Sequence, residues 1–314
     1  MINNNLKYGW CILGLLFVIL GTIPIWCSEY VLFVFLLFFV YLSLSQMWNL
    51  LTGYSGLLSL GQQAFIGLSG YTVAVMTNYY GVNIWLSVII GGLFSVILAL
   101  IMSLFIFRMK GIHFAIGTWI FAEILLQWFS NWKFVKYGMG LFIKPSNPPS
   151  MTAMYYAAFI IGIGSFIVTY IILRSNIGLG LMAMRDNEAV SESMGVEIFR
   201  SKLFCFLVAS FITGATAGVL YVFQMFIQPY EAFSINWTVI LVFITIIGGI
   251  GTIEGPIVGS IIYVLLSQWL AEYTQVSMIM LRIIAITIIL VAPRGIMGTL
   301  NEKLGFEIIG ARRM

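Results

Sequence analysis

Residues 84–107 read IWLSVIIGGLFSVILALIMSLFIF, a run without a single charged side chain. A transmembrane helix needs about 20 consecutive apolar residues, so this run is long enough to cross a membrane. The whole chain has the same character: of its 314 residues, 61% are hydrophobic and only 8% are charged. Soluble domains have about a quarter of their residues charged. The composition therefore excludes a disordered chain, a soluble enzyme and a nucleic-acid-binding protein.

Ten segments are apolar enough to be predicted as spans, and they predict an all-α, polytopic integral membrane helical bundle. They are residues 9–26, 30–51, 56–77, 84–107, 111–131, 151–173, 203–226, 234–250, 256–271 and 278–292. No small-residue cleavage site follows the first segment, so we interpret it as a retained span and not a signal peptide. The glycine-rich segments 56–77 and 234–259 are candidates for broken or re-entrant helices, which protein or a water-filled cavity must surround.

The basic residues predict the orientation of the chain, because cytoplasmic loops carry an excess of Lys and Arg. Ten spans and a cytoplasmic N-terminus place the C-terminus in the cytoplasm too, with eleven basic residues inside and three outside. Those inside are Lys7, Arg108, Lys110, Arg174, Arg185, Arg200, Lys202, Arg294, Lys303, Arg312 and Arg313, and those outside are Lys133, Lys136 and Lys144. We therefore expect a multi-pass protein with both termini in the cytoplasm.

This topology gives spans 2–5 and spans 7–10 opposite orientations. Each half contains a glycine-rich stretch, one from Gly53 to Gly67 and the other from Gly248 to Gly259. Inverted repeats with a glycine-interrupted segment in each half are typical of transporters, so the pattern indicates an inverted repeat. The alternative is that these glycines serve close packing between helices.

The 174–202 segment, RSNIGLGLMAMRDNEAVSESMGVEIFRSK, is the only long predicted cytoplasmic loop between spans. It mixes basic, acidic and apolar side chains, and Gly178, Gly180 and Gly195 bracket a predicted short helix. A short amphipathic helix of this kind fits a groove on a soluble partner. The alternative is a solvated loop that lies on the lipid headgroups.

Five stretches resemble the permeases of ABC importers for branched-chain amino acids, the LivM-like family. The first is GLMAMRDNEAVSESMG at 180–195, which matches the family's cytoplasmic coupling segment at Arg185, Asp186, Glu188, Ala189 and Gly195. The others are LTGYSGLLSLGQ at 51–62 with AFIG at 64–67, RMKGIHFA at 108–115, GGIGTIEGP at 248–256 and PRGI at 293–296. They follow the family's order and cover residues 45–297.

The resemblance implies a single transmembrane permease domain over 1–314, with a type II-like importer fold and a coupling segment at 174–202. It also implies a second related permease, two ATP-binding cassette subunits, an extracytoplasmic substrate-binding protein and the inner or plasma membrane of a prokaryote. ATP would bind to the partners, since the chain has no G-x-x-x-x-G-K-[ST] phosphate loop, and we predict no cofactor of its own. The loop KYGMG at 136–140 departs from the family pattern, which leaves urea or short amides as alternative substrates.

Five polar side chains at membrane depth are candidates for a translocation path: Ser59, Gln62, Gln63, Glu123 and Gln127. Gln127 follows Glu123 by one turn on the same face of the fifth predicted span. A carboxylate at that depth is costly, so we expect Glu123 to face the bundle interior, a pore or a polar partner. For all five side chains, structural hydrogen bonding between helices is the alternative.

Two other classes of protein remain as alternatives. An ion-coupled secondary transporter would use Glu123, Glu231 and Arg282 as coupling residues. A membrane-embedded enzyme is disfavoured, because the chain has one histidine, His113, and too few acidic residues for a paired catalytic site. The three cysteines have no CxxC spacing, so we predict neither a disulfide framework nor a metal site.

Overall fold

The computed structural model describes residues 19–270 and 295–304, which are helical over most of their length. Residues 19–26 form the described part of α1, and α2 (Glu29–Asn49) continues into a π-helical turn, Leu50–Tyr54. The other helices are α3 (Gln62–Tyr80), α4 (Ile84–Ile106), α5 (Ile112–Asn131), α6 (Met151–Arg174), α7 (Asn176–Asp186), α8 (Glu188–Ser193), α9 (Ile198–Gln224), α10 (Pro229–Ala232), α11 (Asn236–Gly248), α12 (Gly255–Leu270) and α13 (Gly295–Leu304). Two short antiparallel strands, β1 (Leu141–Phe142) and β2 (Phe226–Ile227), pair with each other.

Six helical stretches of the described residues are long and apolar enough to cross a membrane, as expected for a multi-pass membrane protein. They are Glu29–Tyr54, Ile84–Ile106, Ile112–Asn131, Met151–Arg174, Ile198–Gln224 and Pro229–Gly248. They correspond to six of the ten predicted spans, and the predicted span 256–271 corresponds to the shorter apolar helix α12. The predicted span 278–292 and residues 9–18 of the first span lie outside the described residues. The total of ten spans therefore stays a prediction.

The third predicted span begins later than the sequence indicates. Its first residues are not helical, and α3 begins only at Gln62. The non-helical backbone before α3 is held by side chains: Trp48 Nε1 donates to the carbonyl of Ser59 at 2.9 Å, and the Leu60 amide donates to Thr118 Oγ1 at 3.0 Å. These bonds satisfy peptide groups that a continuous helix would have satisfied itself, which is the condition for a broken segment at membrane depth.

Small residues bring the central helices into close contact. Helices α3, α4 and α9 pack against one another, and α2 packs against α6 and α9. Ser69 Oγ donates to the carbonyl of Gly214 at 2.6 Å, and a Cβ on Gly214 would collide with Ser95 on α4. Such small-residue contacts are typical of helix pairs in lipid, where van der Waals packing and interhelical hydrogen bonds hold helices together.

The two ends of the bundle differ in structure. At one end, which we call the loop end, the 132–150 loop follows α5 and its β1 strand pairs with β2 after α9. The rings of Tyr71 and Phe129 stack there with centroids 4.5 Å apart. At the other end, which we call the segment end, α7 and α8 connect α6 to α9.

Candidate functional site

The 174–202 segment folds into two helices, where the sequence predicts one. Gly178 and Gly180 lie inside α7, so the prediction that they bracket a helix is wrong. The break comes at Asn187, whose extended backbone ends α7 and whose Oδ1 accepts from the amides of Ala189 and Val190 at 3.1 and 3.2 Å. Asn is a preferred N-cap because its side chain satisfies the free amides of the first turn. Asn187 thus starts α8 as a separate helix.

Gly195 ends α8 as the sequence predicts. Its φ is +86°, a conformation that glycine adopts without the steric cost of a Cβ. The Gly195 amide donates to the carbonyl of Glu192 at 3.0 Å, and the Val196 amide donates to that of Ser191 at 3.1 Å. These two bonds form a Schellman motif, which satisfies the last carbonyls of the helix. The chain then turns directly into α9.

Glu188, the first residue of α8, binds two lysines from neighbouring parts of the bundle. Lys202 Nζ on α9 lies 2.8 Å from Glu188 Oε1, and Lys110 Nζ in the connection between α4 and α5 lies 3.9 Å from Oε2. The side chain of Lys202 is only 10% exposed, whereas that of Lys110 is 76% exposed. An ion pair gains more when its charges are shielded from water, so the bond to Lys202 is the stronger of the two. Glu188 therefore fastens α8 to the bundle.

Arg185, at the end of α7, points into the bundle. Its Nη1 donates to the carbonyl of Gly53 in the π-helical turn at 2.7 Å, and its Nε lies 3.4 Å from Asp186 Oδ1. A Cβ built on Gly56, where φ is +71°, would lie 3.3 Å from the Cα and Cγ of Arg185. A Cβ built on Gly251 would lie 3.2 Å from Arg185 Nη1. Glycines on two different turns thus leave the space that Arg185 fills.

Asn49 joins these two glycine turns. Its Nδ2 donates to the carbonyl of Thr252 at 2.8 Å, and its Oδ1 accepts from the amide of Gly251 at 2.8 Å. The turns approach so closely that a Cβ on Gly53 would lie 2.7 Å from the Gly251 nitrogen. Asn49 is fully buried, so its two bonds replace hydrogen bonds to water that a buried amide loses. The stretches at 51–62 and 248–256 therefore form one contact region.

The stretch at 293–296 reaches the same region through Gly295. This residue has a φ of +71°, and a Cβ on it would lie 2.6 Å from the backbone nitrogen and Cα of Gly249. Side chains of 108–115 also border the segment: a groove of about 240 Å³ lies between the 108–115 stretch, Arg185 and Lys202. All five stretches singled out in the sequence therefore meet at the segment end.

The outer face of α8 is open. Val190 and Met194 are 51% and 79% exposed, and Ala189 is also exposed. Ser191, on the inner face, is buried. The helix thus presents apolar side chains away from the bundle while Glu188 holds its first turn.

A family model described as "Branched-chain amino acid transport system / permease component" matches residues 30–293. The chain belongs to this family. The high-affinity branched-chain amino acid transport system permease protein LivM of Escherichia coli (strain K12) is 24% identical over 297 residues, covering 84% of this chain and 69% of that protein. LivM of Salmonella typhimurium is 23% identical with the same coverage. A probable branched-chain amino acid transport permease protein LivH of Methanocaldococcus jannaschii is 26% identical over 152 residues, covering 45% of this chain and 46% of that protein. No solved structure matches the chain significantly.

Two of the five predicted coupling residues of this permease bond to the bundle, although the side chain of one of them, Arg185, is itself 39% exposed. Arg185 and Glu188 make the internal contacts described above, whereas Asp186, Ala189 and Gly195 lie on the exposed surface. The five residues belong to one compact element, but they do not form one surface. A coupling role for them stays a prediction, and the geometry gives Arg185 and Glu188 a role different from that of the exposed three.

Three predicted path residues of the permease are buried and hydrogen-bonded. Gln62 Oε1 accepts from Thr213 Oγ1 at 3.3 Å, and Gln63 Oε1 accepts from Thr238 Oγ1 at 2.5 Å. The carbonyl of Ser59 accepts from Trp48, as noted above. These bonds join α3 to α9 and α11, which fits the alternative of hydrogen bonding between helices.

The other two predicted path residues lie elsewhere. Glu123 and Gln127 are both exposed on the outer face of α5, so the structure does not bring all five path residues together. Glu123 does not face the interior of this permease chain, which leaves a pore or a polar partner among the predicted surroundings. Glu231, the other described member of the ion-coupling set, lies on α10 within 3.4 Å of Gln228 Nε2. Arg282 is outside the described residues.

Sequence reasoning missed three residues that organise the site: Asn49, Lys110 and Lys202. Asn49 precedes the glycine-rich stretch, and its side-chain amide can both donate to and accept from broken backbone, which is a usable signal. Lys110 was counted only for orientation, although it lies in one of the five quoted stretches. Lys202 gives no local signal, because its partner Glu188 lies 14 positions away.

Proposed function

We propose that this chain is the permease subunit of an ABC importer and that, with a second permease, it forms the translocation path for branched-chain amino acids. ATP hydrolysis on two separate ATP-binding cassette subunits drives the cycle, and an extracytoplasmic binding protein delivers the solute. The complex sits in the inner or plasma membrane of a prokaryote, with the segment end in the cytoplasm. The family match and the printed names of the LivM relatives support this proposal.

The observation that carries the coupling part of the proposal is the two-sided character of α8. Its inner side is bonded to the bundle through Glu188, and its outer side exposes Ala189, Val190 and Met194. A short helix whose outer side combines these apolar side chains with the exposed carboxylate of Glu192 fits a groove on a soluble partner. Because Glu188 bonds the first turn of α8 to the bundle, we expect a partner that moves α8 to move the neighbouring helices with it.

The exposed face of α5 supports a path between two permease chains. Glu123, Gln127 and Asn131 lie on this face at helical spacing, next to the exposed Ile116 and Ile120. A carboxylate that faced lipid at the middle of the bilayer would cost about 2.5–3.5 kcal/mol. A second permease against this face would remove the residues from lipid and place their polar groups beside a shared path.

The test is to co-express the permease with its second permease and ATPase subunits and to purify the complex through this chain. Met194→Asp puts a charge on the outer face of α8, and we expect the ATPase subunits to be lost from the complex. Met139→Asp is the matched control, because Met139 is also exposed (82%) but lies in the loop at the other end of the bundle. A wild-type chain that purifies without ATPase, or a Met194→Asp variant with a full complement of it, would refute the docking role.

Uptake into proteoliposomes tests the solute and the energy source. We expect ATP-dependent uptake of leucine, isoleucine or valine when the binding protein is present. If urea or short amides are taken up and these three amino acids are not, the permease belongs to the alternative substrate class. Uptake that is driven by an ion gradient without any ATPase would refute the importer and support the ion-coupled secondary transporter.

A further inference from the structure

Three parts of the chain that are distant in sequence meet at Arg185. Its own helix, α7, belongs to the 174–202 segment; Gly53 lies 132 positions earlier, and Gly251 lies on the turn between α11 and α12. The Nη1 of Arg185 is 2.7 Å from the Gly53 carbonyl oxygen, and the Cβ position of Gly251 is 3.2 Å from both that oxygen and Nη1. A single guanidinium therefore bonds to the first glycine turn and lies beside the second.

The Gly53 carbonyl is a suitable acceptor for a cation. It lies in the last turn of the α2 helix and its π-helical extension, where carbonyls have lost their intrahelical partners and carry partial negative charge. A hydrogen bond from a charged donor is about twice as strong as one between neutral groups. The bond from Arg185 is thus a charge-assisted polar link between α7 and the end of α2.

The second glycine turn is tied into the same link. Asn49 binds the Gly251 amide and the Thr252 carbonyl, and Thr252 Oγ1 donates to the Gly249 carbonyl at 2.7 Å. Movement of Arg185 would therefore displace the end of α2 and the connection between α11 and α12 together. The bonds from Glu188 to Lys202 and Lys110 restrain α8 separately at the α9 and α4–α5 side.

We infer that Arg185 is a positioning residue that transmits movement of α7 and α8 to the two glycine turns, and that it is not a contact for the ATPase. This inference rests on the proposed function. The side chain of Arg185 is 39% exposed, and one of its two terminal nitrogens, Nη1, donates to the Gly53 carbonyl on the inner side. Docking and transmission are therefore divided between neighbouring residues: Val190 and Met194 face outward, and Arg185 faces the turns.

The experiment compares Arg185→Gln, Arg185→Lys and Arg200→Gln in the purified full complex in proteoliposomes. Arg200 is the matched control, because it is an arginine of the same segment whose side chain is 80% exposed and pairs only with Glu197 among the contacts described for it. Three quantities are measured: the ATPase subunits that co-purify, ATP hydrolysis without solute, and solute uptake per ATP hydrolysed. Substitution of a residue that only supports docking lowers the amount of ATPase that co-purifies. Substitution of a residue that transmits movement lowers solute uptake per ATP hydrolysed.

We expect Arg185→Gln to retain the ATPase subunits and the hydrolysis rate without solute, and to lower uptake per ATP by about tenfold or more, as for loss of a charged hydrogen bond. Arg185→Lys keeps one donor and should fall between Gln and wild type, because lysine cannot serve Gly53 and Asp186 together. Arg200→Gln should match wild type within about twofold, as for an exposed pair.

Two results would overturn the inference and leave the proposed function intact: wild-type uptake per ATP in Arg185→Gln, or loss of the ATPase from that variant. If Arg185→Gln does not accumulate in membranes, Arg185→Lys decides, and wild-type uptake per ATP in a fully assembled lysine variant overturns the inference. A wild-type complex without ATPase would instead refute the proposed function itself.

Discussion

Replacing Glu188 by Gln tests whether α8 is fastened to the bundle by charge. The carboxylate accepts a 2.8 Å bond from Lys202, whose side chain is 10% exposed, while Glu188 itself is 30% exposed. Hydrogen bonds to charged groups contribute about 1.5–3 kcal/mol, and partial exposure of Glu188 favours the lower half of that range. The longer contact with exposed Lys110 adds less than about 1 kcal/mol. We therefore expect a loss of about 2 kcal/mol, which is about a 30-fold increase in the local opening of α8.

Hydrogen exchange of the purified permease, followed by mass spectrometry on peptides that cover 188–196, measures this opening directly. Amides of α8 should exchange about 30-fold faster in Glu188→Gln, and Lys202→Gln should have an effect of similar size. Glu197→Gln is the control: it breaks the Glu197–Arg200 pair, whose side chains are 62% and 80% exposed, and should change exchange by less than about fivefold. Unchanged exchange in Glu188→Gln, or an equal effect of the control, would refute the fastening role.

Three further substitutions test the glycine positions and one interhelical bond. Gly195→Ala places a residue with a Cβ at a φ of +86° and should destabilise the end of α8 by about 1–2 kcal/mol. Hydrogen exchange of the same peptides measures this change, and exchange at the wild-type rate would contradict the Schellman motif. Gly53→Ala should lower the Tm of the detergent-purified permease, because its Cβ would collide with the turn at Gly251. The control Gly164→Ala, with no atom within 4 Å of the new Cβ, should leave the Tm unchanged. Equal Tm values for the two variants would contradict the close approach of the turns. Thr238→Val removes the bond to Gln63 and should cost about 0.6 kcal/mol; a cycle with Gln63→Leu that gives no coupling energy would contradict the bond.

The sequence predicts much of the helical framework, because an apolar run of about 20 residues has few other stable structures in lipid. Six predicted spans have counterparts in long apolar helices, with ends that differ by a few residues. The start of α3 differs more. Its glycine content predicts a broken or re-entrant segment within 56–77, but the position at which the helix begins depends on bonds with Trp48 and Thr118, which lie on other helices.

The direction of side chains in the site could not be predicted from the sequence. Arg185 and Glu188 were grouped with Asp186, Ala189 and Gly195 because all five match one pattern. The structure separates them, because Asn187 ends α7 and starts α8 as a separate helix and because the partners Gly53 and Lys202 lie 132 and 14 positions away. Glu123 shows the same limit: its depth follows from the sequence, but the face it occupies depends on how α5 packs.

The residues that make the broken backbone tolerable are also the residues through which it can be moved. A buried peptide group that leaves its helix must find another partner, and here the partners of the two glycine turns are Asn49 and Arg185. Asn49 lies on α2 and keeps the turns together, whereas Arg185 lies on a segment outside the long helices. A continuous helix at either turn would offer no free carbonyl or amide for these side chains. The glycine breaks therefore provide more than close packing, since they create acceptor groups at the position where the 174–202 segment contacts the bundle.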